Sequence, residues 1–294
     1  MKAANLPFPI FAALLGVALL SLMDAFMKGA ALAVGAFSAA WLRALIGTGI
    51  MLPVWLSLGA RRPPLPAMKL HIERGVVSCF MAVTFFYSLT KLPLAETIAI
   101  SFVAPLITLY LARILLGEAI RPGAVWGSLL GFAGTIVIIW ARLGQSDFDR
   151  DTMLGLAAIL VSALLYAYNF IVMRRQSQVA TPAEIALFHS GVTAAILALA
   201  APFLFVVPDS EVLGATAISA VLTVTGASVL AWAYARAEAQ VLVPMEYSGF
   251  LWASLFGWLF FREGVTATTV LGTALIVLGC WIAARRQEPE QVVI

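Results

Sequence analysis

The sequence predicts an all-α polytopic membrane protein with ten transmembrane helices in two inverted five-helix repeats, and three observations predict it. Of 294 residues, 62% are hydrophobic and 11% charged, and the mean hydropathy is +1.00; globular chains carry about 25% charged residues. The apolar residues fall in runs about 20 long without dyad alternation, the length of a helix crossing a bilayer and not the pattern of a barrel strand. The stretch from Lys91 to Gly134 returns, without a gap, at a fixed offset of 145 residues. Lys91 then meets Arg236, Phe102 meets Tyr247, Leu106 meets Leu251, Glu118 meets Glu263, Gly127 meets Gly272 and Gly134 meets Gly279.

In chain order, helices are expected at 8–28, 37–58, 71–90, 94–116 and 122–141, and again at 152–174, 182–207, 211–234, 241–261 and 265–284. The first run follows Lys2 and resembles a signal peptide, but further spans follow at once without a convincing cleavage site, so it reads as a retained first helix. Breakers stand between the runs at Pro63, Pro64, Pro66, Pro93, Pro122, Pro182 and Pro208. Pro53, Pro105, Pro202 and Pro244 fall within or near the starts of spans, where they are expected to kink them. Gly127, Gly131 and Gly134 lie along one face of the fifth helix, and Gly272 and Gly279 along one face of the tenth, which predicts close packing of these two. Cys79 and Cys280 lie inside apolar runs and suggest neither a disulfide nor a metal site.

Cytoplasmic loops hold an excess of Lys and Arg. With the N-terminus inside, twelve of the eighteen fall on that side, among them Arg61, Arg62, Lys69, Arg74, Arg174 and Arg175, while Lys28, Lys91, Arg142, Arg150 and Arg262 fall outside and Arg43 lies within a span. Both termini are therefore expected in the cytoplasm. The net charge of +3 reads as a topology signal and not as affinity for nucleic acid. Five spans cross the bilayer once, so residues 1–145 and 146–294 must be oppositely oriented. Inverted halves give a transporter two related conformations around a site near the midplane.

The motif LPLAETIAISFVAPLITLYLARILLGE, Leu92 to Glu118, and its partner VLVPMEYSGFLWASLFGWLFFRE, Val241 to Glu263, resemble those of the EamA branch of the drug/metabolite transporter superfamily. The resemblance covers nearly the whole chain, including an arginine early in the second helix, Arg43. It implies a ten-helix exporter of the bacterial inner membrane acting on amino acids or other small metabolites. No cofactor is implied, and the oligomeric state is not read from the sequence.

Arg43 lies about six residues inside the second helix, roughly 9 Å below the outer boundary at ~1.5 Å per residue, so its charge must be solvated or paired. It either meets a substrate carboxylate, or snorkels, or pairs with Asp24. His189 holds the mirrored place in the seventh helix, as a proton carrier or as a satisfied core histidine. Asp24 and Lys28, four residues apart, are expected to pair with each other. Glu118 and Glu263 each precede a helix, where a carboxylate meets the positive end of the dipole. Glu246 lies inside the ninth span and either faces the cavity or is neutral. The remaining candidate lining is Tyr87, Ser88, Ser101, Phe102, Tyr166, Asn169, Trp232, Tyr247 and Trp252. Such a pocket suits amphiphilic, partly aromatic solutes. The rival readings are a multidrug effluxer, which differs in its solutes, and an intramembrane enzyme, for which no HExxH, GxGD or GxSG pattern is present.

Overall fold

A computed structural model describes residues 7–59, 62–117, 122–143, 149–234, 236, 242 and 245–284, and every regular element among them is a helix. The first, α1, runs over Pro7–Ser57, 51 residues. Straight, it would be about 76 Å long, more than twice the hydrocarbon thickness of ~30 Å. It is divided at Gly35, whose φ of 80° and ψ of 155° suit a residue without Cβ. The loop expected between the first two spans is thus a turn at a single residue, and α1 has two arms.

Then follow α2 (Leu65–Lys91), α3 (Leu94–Ser101), α4 (Ala104–Leu116), α5 (Pro122–Leu143), α6 (Arg150–Gln176), α7 (Pro182–Ala198), α8 (Ala201–Leu204), α9 (Ser210–Tyr234), α10 (Gly249–Phe261) and α11 (Ala267–Ala284). Asp149 caps α6 by accepting from the backbone N–H of Thr152 at 2.8 Å, a bond that holds its carboxyl below the usual carboxylate range. Among the described residues, five helical stretches are long and apolar enough to cross a bilayer, and four shorter helices are also apolar.

Among the described residues, three expected spans are interrupted, and each break has a local cause or counterpart. The fourth span, expected whole over 94–116, breaks at Phe102–Val103 because Pro105 offers no N–H to the Ser101 carbonyl and its ring crowds it. The N–H groups of Phe102 and Val103 turn back to Ala99 and Ile100 instead. In the ninth span, Met245 and Glu246 are helical, Tyr247 and Ser248 form a turn, and α10 begins at Gly249. The two breaks coincide at the offset of 145. The seventh span stops at Ala198, four residues before Pro202, which stands in the first turn of α8.

The N-terminal arm of α1 packs along α9, α2 along α6, and α5 along α11. Glycine permits the last pairing. A Cβ on Gly279 would lie 2.4 Å from the Gly127 carbonyl oxygen, and one on Gly134 would lie 2.4 Å from that of Gly272. Gly131 borders the same contact, but its own Cβ direction meets Leu106 of α4. The C-terminal arm of α1 lies on α7, where the Trp41 indole N–H donates to the Ala194 carbonyl at 3.0 Å. One apolar cluster joins α1, α2, α3 and α10 around Met27, Phe86 and Leu94, and a second joins α3 to α6, α10 and α11 around Ile100, Leu106, Ile138 and Ile276.

Candidate functional site

The pairing of α1 with α7 and of α2 with α6 brings four helices together around a set of ionisable groups that share no sequence neighbourhood. Asp24 comes from the first arm of α1, Arg43 from the second, Arg74 from α2, Tyr166 from α6 and His189 from α7, with Glu246 ahead of α10. Asp24 and Arg43 lie within electrostatic reach of each other, and Arg43 and Arg74 within reach of His189. Tyr166 is within reach of Arg74, Asp24 and Glu246. Yet half of the Tyr166 surface, 50%, is exposed, and Glu246 is exposed as well. Accessibility amid charges from other helices is what a side chain lining a shared space between them would show.

Arg43 is half-buried, with its guanidinium 5.3 Å from the centroid of the Phe86 ring. Its Nε has no hydrogen-bond partner and is inaccessible to solvent, as are the Trp252 indole nitrogen and the Ser248 hydroxyl. Trp252 stacks on Phe256 with centroids 6.2 Å apart. Buried donors without partners are uncommon. Among the described residues, no group of three metal-ligating side chains is gathered.

The other candidates separate by position. Phe102 and Tyr247, matched by the offset, pack edge to face with centroids 5.3 Å apart, so the two helix breaks touch. Ser88 and Ser101 each donate to a carbonyl of their own helix, Phe85 and Ile98, at 2.7 Å. Their hydroxyls are therefore already satisfied, and Ser88 is fully buried. Tyr87 and Trp232, matched by the offset, carry the matched cations Lys91 and Arg236 over their rings at 5.8 and 4.3 Å, one turn further along each chain segment. These two aromatics brace helix ends.

Asn169, which the offset matches to Asp24, is buried in a hydrogen-bonded chain that sequence reading did not assemble. Its Oδ1 accepts from Arg74 Nε at 3.1 Å and from Ser78 Oγ at 3.3 Å, and Ser78 Oγ lies 3.1 Å from His189 Nδ1. Arg74 Nη1 donates to Gln176 Oε1 at 3.0 Å, Gln176 Nε2 meets His71 Nδ1, and His71 Nε2 lies 2.8 Å from Glu184 Oε1. Arg74, assigned to the cytoplasmic loop charge, is instead an interior residue. The available signal was the spacing of His71, Arg74 and Ser78 at intervals of three and four, one face of α2.

At the opposite end of the helices, the expected pairing of Asp24 with Lys28 gives way to a longer-range ion pair. The buried Lys28 ammonium pairs with Glu263 and donates to the Leu92 carbonyl at 2.8 Å. The second oxygen of Glu263 accepts from the N–H of Leu94 at 2.7 Å, so this carboxylate meets the first turn of α3, not that of the helix that follows it. A cavity of about 330 Å³ opens beside this pair, lined by Leu32, Thr90, Lys91, Pro93 and Phe261. Glu118 lies outside the described residues.

The model of the EamA-like transporter family matches the chain twice, over residues 7–140 and 153–285. A pseudopaline exporter of Pseudomonas aeruginosa is 25% identical over 274 residues, 91% of this chain and 93% of the relative. A riboflavin transporter of Brucella anthropi is 24% identical over 83% of this chain and 86% of its own length. The aromatic amino acid exporter YddG of Ancylobacter novellus is 30% identical over 155 residues, 52% of each chain. A crystal structure at 24% identity superposes with a TM-score of 0.64 over 93% of this chain and 96% of that one, which shows a shared fold.

Proposed function

The chain belongs to the EamA-like transporter family, and from that premise we propose that it exports amino acids, aromatic or other neutral ones, or related small metabolites across the bacterial inner membrane by alternating access. It is a multi-pass membrane protein and a small-molecule transporter. The observation that carries the finer reading is the half-exposed Tyr166, within electrostatic reach of Arg74, Asp24 and Glu246 from separate helices, and we read the space it faces as the solute cavity. A zwitterion needs both signs at once. Arg43, with an unpartnered buried Nε, supplies a forked donor for a carboxylate, and Glu246 supplies an acceptor for an ammonium. The Trp252 indole and the Tyr166 ring suit an aromatic side chain. The relative named as an aromatic amino acid exporter supports this class of solute.

Alternating access rests on ten spans in two halves, 1–145 and 146–294, and reciprocal contacts support it. Gly127 meets Gly279 and Gly134 meets Gly272, and each of these partners is the other's counterpart at the offset of 145. Such an exchange of partners is what a twofold axis would produce. As the helices run antiparallel through these contacts, an axis relating them would lie across them, which supports one in the plane of the membrane, as inverted repeats require. The α2–α6 contact likewise answers that of the first arm of α1 with α9. Discontinuous helices meeting at Phe102 and Tyr247 are the usual setting of a midplane site.

Flux decides the solute. The purified chain in liposomes loaded with labelled L-phenylalanine should release it faster than protein-free liposomes do. Movement of a lipophilic cation such as tetraphenylphosphonium with no movement of amino acids would replace this reading with multidrug efflux.

A further inference from the structure

The chain of bonds from Glu184 to His189 has a direction, fixed by which atoms can donate. A guanidinium only donates, so Arg74 Nη1 gives its proton to Gln176 Oε1 and Arg74 Nε gives one to Asn169 Oδ1. With its oxygen occupied, Gln176 presents the amide nitrogen to His71, and Nδ1 of that ring must accept. The His71 proton therefore sits on Nε2 and is donated to Glu184. On the far branch, the Ser78 hydroxyl gives its proton to Asn169 and so accepts from His189 Nδ1.

A second proton on His71 is incompatible with this order. It would place N–H at Nδ1 against the NH₂ of Gln176. Rotation of the amide relieves that clash by presenting Oε1 to His71, but it then turns the NH₂ onto Arg74 Nη1, donor against donor. The Arg74–Gln176 bond is lost, and Arg74 lies within electrostatic reach of Tyr166 at the cavity.

We propose that His71, held between Gln176 and Glu184 where α2, α6 and α7 converge, is a proton-binding site, and that the Gln176 amide relays its protonation state to Arg74 at the cavity. The ring is fully buried, stacked on Phe188 with centroids 4.5 Å apart, while Glu184 keeps about a tenth of its side chain exposed and forms the entry for the proton. The charged and titratable groups on the packed elements are few. On α7 they are Glu184 and His189. Those at the end of α6 are Tyr168, bonded to Glu73, together with Arg174 and Arg175, the last donating to the Leu115 carbonyl. Lys69, Glu73 and Arg74 share α2 with His71, and the C-terminal arm of α1 carries none between Arg43 and Ser57. An imidazole is the side chain suited to change charge near neutral pH. On the transport reading above, this site links a proton taken from one side of the membrane to the solute.

The test uses the full chain in nanodiscs with ¹⁵N-labelled histidine and arginine, because only two histidines are present. Signals lost in His71→Gln are those of His71, and signals lost in Arg74→Lys are those of Arg74. At the alkaline end of a titration from roughly pH 8 to 5, His71 should show a bare Nδ1 and a protonated Nε2. On acidification Nδ1 should gain a proton, and the Arg74 Nε signal should shift with the same midpoint. In Gln176→Met, His71 should still titrate while Arg74 ceases to follow. If that variant does not fold, Gln176→Glu accepts on both sides and should hold His71 doubly protonated throughout. A His71 that keeps one neutral tautomer over the whole range overturns the proposal, and so does an Arg74 response that survives Gln176→Met or an unshifted His71 titration in Gln176→Glu. No solute enters these readouts, so a chain that moved none of the labelled solutes would sink the export reading and leave this one standing.

Discussion

At the scale of single residues, the charges inside the bilayer are few enough that each has a consequence. Arg43→Ala removes the forked donor at the cavity while leaving the Phe86 ring in its cluster. L-phenylalanine flux should therefore fall by roughly tenfold to a hundredfold, the worth of a charged hydrogen bond, with the thermal unfolding midpoint little changed. A well-expressed variant with parental flux would remove Arg43 from the site. Lys28 and Glu263 call for a pair of substitutions. Lys28→Met leaves the partly buried Glu263 carboxylate without its cation and should cost about 3 kcal/mol, whereas Lys28→Met combined with Glu263→Gln should be less destabilised than the single change, because no uncompensated charge remains. Strictly additive losses, measured by denaturation, would show that the two groups act independently. Arg43, His189 and Glu246 were legible in the sequence because an ionisable side chain in an apolar run stands out. The partner of Lys28 was not, since Glu263 lies 235 residues away and nearby Asp24 offered a plausible local alternative.

Whole elements respond to backbone geometry more than to charge. Gly134→Ala drives a methyl group into the Gly272 carbonyl, which cannot retreat without moving α11, and should cost about 1 to 3 kcal/mol. Gly131→Ala meets only the far end of the Leu106 side chain, which can rotate away, and should cost less. Thermal unfolding of the two variants gives the order directly, and a reversed order would mean that α5 and α11 do not meet through Gly134. Apolar run length located the helices well, and Pro105 and Pro202 predicted kinks where the fourth and seventh spans break. The turn at Tyr247–Ser248 had no proline at the matching position. Its sequence signals were the offset to Phe102 and Val103 and the kink expected at Pro244, which lies outside the described residues.

For the whole molecule, the proposed ten crossings would place the turn near Gly59 and the segment around Asp209 on opposite faces of the membrane. Single cysteines at these two positions, in a chain with Cys79 and Cys280 replaced by alanine, should therefore react with a membrane-impermeant maleimide from opposite sides. Labelling of both from one side would overturn the inverted arrangement. Composition alone determined that the chain lives in a bilayer, because so much apolar surface has no other solvent, and the repeated motif suggested two related halves before any helix was placed. The identity of the groups that meet was decided only by the tertiary structure. Hydropathy reports how each helix faces lipid, but hydrogen bonds between helices join residues about a hundred positions apart, as in Arg74–Gln176 and His71–Glu184, and nothing in a single sequence records that proximity. The same limit explains Ser88 and Ser101. As residue types they were reasonable cavity hydroxyls, and only the folded helix shows that their own carbonyls already take the proton.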